Sequence, residues 1–257
     1  MAMYRSAYDL KGFYNGKVGS VVKRILRERV RDMWPDVHGL SVMGCGYAVP
    51  ILKIFHGEAE RVVAMMPVAQ SAHHWPSEAK NLVCLSEEQE LPFENASIDR
   101  IILVHHVEYC EQLRPALEEV WRVLKANGRL LVIVPNRRGL WARADWSPFG
   151  QGTPYTSSQI TNFLHDNRFV HERTEQALFL PPLKFSLALR SASVLEVVGR
   201  RFLPFMAGVF MVEASKQLYA RAVPGGGSRV TVRDRGMLPG RAMPVPQGFS
   251  SPRQQEH

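Results

Sequence analysis

The sequence predicts an α/β protein built on a doubly wound, mostly parallel seven-stranded sheet with an antiparallel edge strand. Three observations carry that expectation: short continuous apolar runs, helical stripes between them, and a glycine turn directly after the first run. Continuous runs suit strands buried on both faces, as a parallel sheet requires. Apolar residues recurring at three and four positions mark one face of a helix instead.

The first stripe, Val18, Val21, Val22, Ile25, Leu26 and Met33, predicts a helix with Lys23, Arg24, Arg27, Arg29 and Arg31 lying opposite. Strands are predicted at 40–43, 61–65, 81–85, 98–104 and 129–134. Before the last of these, Leu113, Leu117, Val120, Trp121 and Leu124 form a helical stripe that Asn127-Gly128 is expected to stop. Strand and helix alternating at this spacing argue for right-handed βαβ units. A long connection, NRRGLWARADWSPFGQGTPY, follows Pro135 and leads to a helix at about 157–167. Stretches 169–178 and 207–216 read as strands around a helical insertion, which suits an antiparallel hairpin at one sheet edge. The insertion, 181–205, fits an interfacial lipid-touching helix and a core-facing helix equally well.

From about Ala222 the composition turns to Gly, Pro, Arg and Ser, too polar to offset the entropy of ordering. The expected organisation is one domain over 1–221 and a disordered basic tail over 222–257. With 46% hydrophobic residues the chain can build a substantial core, and it contains no apolar run of spanning length. Three scattered cysteines and no apolar leader suggest reduced thiols in the cytoplasm. The net charge of +8 is spread over the early helix, Arg137, Arg138 and Arg143, and the tail. Contact with nucleic acid or an anionic membrane is one reading of it, and solvated faces are the other. No metal is expected, since the pairs His73-His74 and His105-His106 lack ligand spacing. A G-x-S-x-G elbow is also missing.

Two motifs speak to function. Leu40 to Ala48, LSVMGCGYA, takes a buried strand into a glycine turn and an apparent helix, where backbone can approach a ligand and helix N–H groups are free. Glu90 to Arg100, ELPFENASIDR, leads into the fourth strand, and WRVLKANGRLL from Trp121 ends a helix and opens the fifth. Together these resemble the class I S-adenosylmethionine-dependent methyltransferases of the methyltransferase type 11 group, over roughly Gly39 to Pro135. The resemblance implies a Rossmann-like methyltransferase fold and S-adenosylmethionine as cofactor.

It further implies that Gly44, Cys45 and Gly46 wrap the methionine portion, with Met65 and Met66 beside the ribose. Glu87 and Glu88 take the place near the adenine amino group, and His105 and His106 face the methionine end of the cofactor and the acceptor. Tyr14 becomes a candidate lid, with an aromatic staple as the alternative. His105 is the candidate general base, with a packed or capping histidine as the alternative. Asn136, Arg138 and Trp141, beyond the fifth strand, are candidate acceptor contacts, with a solvated loop and one Trp covering the core as the equal alternative. Val42 replaces the acidic residue that usually opens the glycine motif, and Val63 to Pro67 offers no carboxylate for the ribose hydroxyls. Such a bidentate bond contributes roughly 1.5–3 kcal/mol, so its loss weakens binding by about one to two decades. Three readings therefore stand: a methyltransferase of unassigned acceptor, an inactive protein of that fold serving in binding or assembly, and, behind these, a nucleic-acid or membrane-surface module suggested by the basic helix and tail. Gly46→Arg is expected to abolish cofactor binding without unfolding the domain.

Overall fold

The computed structural model describes residues 5–182, 192–202 and 206–216. The expected tail lies outside the described residues, as does much of the insertion at 181–205. Helices α1 (Ala7–Asn15) and α2 (Lys17–Met33) come first, followed by β1 (Ser41–Gly46), the four-residue α3 (Val49–Leu52) and β2 (Arg61–Pro67). Then come β3 (Val83–Ser86), β4 (Ile98–Val104), α4 (Leu113–Val123), β5 (Leu124–Pro135), α5 (Ser157–Asp166) and β6 (Val170–Ala177). Helix α6 (Ala192–Phe202) and β7 (Val209–Ser215) complete the series.

The seven strands form one sheet in the order β3-β2-β1-β4-β5-β7-β6. The first five run parallel, and β7 is antiparallel to both β5 and β6. The predicted architecture is therefore present, with the antiparallel strand lying one place in from the edge. Between β1 and β4 the strand order reverses, which is where open α/β sheets form a ligand crevice.

Alternation along the strands divides the core in two. Val42, Ala64 and Met66 face the layer of α1, α2 and α3. Met43, Cys45 and Met65 face α4 and α5. Of the predicted stripe of α2, Val18, Val22, Ile25, Leu26 and Met33 are buried and Val21 half-buried, with Val30 added to the face. Each such side chain contributes roughly 1.5–3 kcal/mol. Ser6 caps α1 by accepting from the Asp9 N–H, and Thr156 with Gln159 closes a capping box on α5.

The expected helix stop at Asn127-Gly128 is corrected by three to four residues. Leu124 is already extended and pairs with Ile98, so strand pairing takes the chain before the Asn-Gly signal is reached. Asn127 adopts a left-handed φ of 58° within β5 and donates its N–H to the Lys216 carbonyl. Between β2 and β3 the connection holds only a 3-10 turn at Val68–Gln70, so the strict strand–helix alternation fails there.

At the end of the sheet away from the glycine turn, buried Glu213 on β7 gathers several partners. It accepts from Trp34 Nε1 at 2.7 Å and from Arg173 Nε at 2.7 Å, with Arg129 3.6 Å away. Arg100 lies over the Trp34 ring. Among the described residues no helix is long and apolar enough to cross a membrane.

Candidate active site at the carboxyl ends of β1, β2 and β4

The glycine turn is where the sequence places it, but its chemistry differs. Gly46 has φ +75°, and a Cβ there would sit 2.3 Å from the Val104 carbonyl oxygen on β4. Glycine is thus demanded by backbone packing as well as by conformation. The expectation that Gly46→Arg leaves the fold intact is corrected by that clash. Gly44 packs toward Ala48 and Leu52 of the neighbouring turn. The Cys45 side chain points into the α4 core, where burial pushes its thiol far up. The Tyr47 N–H donates to the Val104 carbonyl at 2.7 Å. α3 is only four residues long and Pro50, near its start, lacks an N–H, so the expected helix terminus is reduced to a single turn with one donor fewer.

Aromatic side chains occupy the mouth of the turn. Tyr14, from the end of α1, stacks on Tyr47 at 5.9 Å and 20°. Its hydroxyl lies 2.8 Å from His105 Nε2. Burial, and then the nearby Glu108, raise the Tyr14 phenol well above its ordinary range, so it keeps its proton and donates. His105 Nδ1 in turn lies 3.1 Å from Glu108 Oε1, which orients the ring between a hydroxyl and a carboxylate. Phe149 packs against the same ring at 4.8 Å. On the other side, the Tyr47 hydroxyl meets His73 Nε2 at 3.1 Å, and His73 Nδ1 donates to the His74 carbonyl. His105 holds φ +49°, a left-handed backbone that a non-glycine residue keeps only when its surroundings impose it.

Two buried acceptors beside His105 have no partner. Gln70 donates through Nε2 to the His105 carbonyl at 3.3 Å, while its Oε1 is unpaired. Glu108 Oε2 is unpaired as well. Each such atom costs about 1–3 kcal/mol unless a donor reaches it.

The structure thus brings Gly46, Tyr14 and His105 together. Met65 and Met66 are core residues at the end of β2. Glu88 reaches His106 Nε2 at 3.1 Å, whereas Glu87 is exposed. Asn136 and Trp141 are committed elsewhere: Asn136 Nδ2 donates to the Ala207 carbonyl, and Trp141 Nε1 to the Leu180 carbonyl. Both are buried, so the loop after β5 offers only Arg138, exposed, as an acceptor contact from the predicted set. Sequence reasoning missed Tyr47, Gln70 and Glu108. Of these, Glu108 was detectable as an ionisable residue three places after His105, on the turn that ends β4.

Does this set fit S-adenosylmethionine? The glycine turn, the strand-order reversal and the unpaired acceptors fit a ligand rich in N–H and O–H groups. The ribose carboxylate is missing, since β2 ends in Met66-Pro67, and Gln70 three residues on is the nearest polar substitute.

Comparison with known proteins follows the same line. The family description "Methyltransferase domain" matches residues 42–132, from β1 to β5. The protein named "Putative methyltransferase YrhH" of Bacillus subtilis (strain 168) is 29% identical over 51 residues, covering 20% of this chain and 28% of that protein's length. Among solved structures, a SAM dependent methyltransferase from Archaeoglobus fulgidus superposes with a TM-score of 0.55 at 15% identity, over 76% of this chain and 94% of that one. One from Aquifex aeolicus gives 0.54 at 16%, over 82% and 98%. The [4+2]-cyclase SpnF gives 0.52 at 15%, over 77% and 82%. The methyltransferase-domain match thus runs from the glycine strand to the fifth strand, and the solved methyltransferases share the fold in which it is set.

Proposed function

We propose that the chain performs S-adenosylmethionine-dependent methyl transfer from the crevice above β1, β2 and β4, in a form from which the Tyr14 ring has withdrawn. The observation that carries this is the pair of unpaired buried acceptors, Gln70 Oε1 and Glu108 Oε2, on two residues that both contact His105. Backbone at Gly44 to Gly46 would hold the methionine portion, Gln70 a ribose hydroxyl, and Glu88 the adenine side. The cofactor supplies a methyl group already activated on a sulfonium, so the protein's task is alignment and, for some acceptors, removal of a proton. His105, held by Glu108 through Nδ1, presents Nε2 for that proton once the Tyr14 hydroxyl leaves it. The three cysteines are unpaired, in keeping with a cytoplasmic setting.

A second reading has its own observation. Tyr14 and Tyr47 fill the mouth of the crevice while the ribose carboxylate is missing. Function resides in the site rather than the fold, and the cyclase named above shares this architecture. On that reading the protein keeps the frame and serves as a binding or assembly partner. Titration of S-adenosylhomocysteine into the wild type and Tyr14→Ala by calorimetry decides between them. Methyl transfer expects binding in both, tighter in Tyr14→Ala by about tenfold because a displaced ring and hydrogen bond no longer oppose it. Absence of heat from both folded proteins would select the second reading.

A further inference from the structure

Beside the mouth of the crevice, sharing the wall of Tyr14, Tyr47 and His73, a cleft of about 180 Å³ opens between α1, α2, α3 and the stretch after β2. Lys11, Lys23, Arg27 and Lys53 line it, together with His74 and Trp75, and no carboxylate does. Several cations elsewhere are matched, Arg31 with Glu58, Arg122 with Glu119, Lys125 with Asp99 and Arg173 with Glu213. None of the four in the cleft has an ion-pair partner among the described residues. Two of them are held from behind by backbone. Lys23 Nζ donates to the Tyr14 carbonyl at 3.3 Å, and Arg27 Nε donates to the Pro50 carbonyl. Oriented donors of this kind differ from lysines spread over a solvated face.

We propose that this cleft binds a small molecule bearing one or two phosphate groups, with Lys23, Arg27 and Lys53 as its principal contacts. Like charges converging on a recess repel one another, and an anion seated among them removes that cost. Lys23 registers the field: desolvation, then Arg27 and Lys53, lower its affinity for a proton. Donors arriving from α1, α2 and the residue after α3 suit a tetrahedral group with several acceptor oxygens better than a planar carboxylate, which one guanidinium satisfies. The volume equals about six waters at roughly 30 Å³ each, enough for a phosphate or diphosphate and part of its ester. Convergence into a recess, in place of a stripe along α2, favours a small ligand over a polyanion. The cleft adjoins the crevice through Tyr14, Tyr47 and His73, but the assignment does not depend on methyl transfer.

Calorimetric titration with sodium pyrophosphate and with glycerol 3-phosphate tests it on the full chain. The expected result is saturable binding to the wild type, weakened by about tenfold or more in the Lys23→Gln/Lys53→Gln double variant. Lys80→Gln, an exposed lysine outside the cleft, should bind as the wild type does. Should the double variant fold poorly, Lys53→Gln alone, on the exposed rim, supplies the comparison. No heat from the wild type with either probe, or equal affinity in the variants, would overturn the proposal. So would binding confined to anionic phospholipid vesicles or to single-stranded RNA, with none to pyrophosphate.

Discussion

The two ends of the sheet each bury a glutamate, and the two are finished differently. Glu213, at the end away from the glycine turn, has both oxygens engaged, by Trp34 and by Arg173, with Arg129 close by. Glu108, beside the glycine turn, has one oxygen on His105 and the other bare. Burial is nearly the same, at 1% and 2% exposure. The contrast therefore comes from partners. A buried carboxylate surrounded by donors serves the fold, whereas one left half-paired in a crevice is poised for a ligand.

The same substitution at both positions is the most direct way to break that comparison. Glu213→Gln should destabilise by about 3 kcal/mol in urea unfolding, because Arg173 and Arg129 lose a buried countercharge. Loss of less than about 1 kcal/mol would show that the lower end is no better satisfied than the upper. A pH series sharpens the comparison at intermediate cost. Burial holds the His106 imidazole below the usual histidine range, with Glu88 opposing. As pH falls below about 6.5, the unfolded chain takes up a proton that the folded chain refuses, so stability declines from there down to the depressed value. Between about pH 7 and about pH 5, the wild type should lose on the order of 1 kcal/mol more than His106→Gln, read from urea midpoints at each pH. Parallel profiles would remove His106 as the source. The smallest effect is expected at the other glutamate. Glu108→Gln should leave stability within about 1 kcal/mol of the wild type, with a gain the favoured sign, since an amide is cheaper to bury than a half-paired carboxylate. A loss as large as that of Glu213→Gln would erase the distinction between the two ends.

What the chain reveals unaided follows the range of the forces involved. Helix α2 and strands β1, β4 and β5 were legible because their apolar period is local and their faces are buried whole. Asn127-Gly128 misled because pairing of Leu124 with Ile98 is a tertiary effect that overrides a stop signal. In the site, the glycine turn was legible, but its occupants were not. Tyr14 and His105 are 91 residues apart, and nothing in either neighbourhood announces their bond. Trp141 and Asn136 misled for the converse reason. They belong to a loop that typically faces ligand, yet here backbone carbonyls of Leu180 and Ala207 claim them.

Tyr14 carries a consequence for every affinity measured at the crevice. A crevice closed by the chain's own ring is competent only in the fraction of molecules whose first helix stands aside, and the apparent dissociation constant is the intrinsic one divided by that fraction. At one per cent open, a ligand of intrinsic nanomolar strength would register at about a tenth of a micromolar. Whatever holds α1 away, whether a partner or a bulky acceptor, would then act as an activator without touching the cofactor.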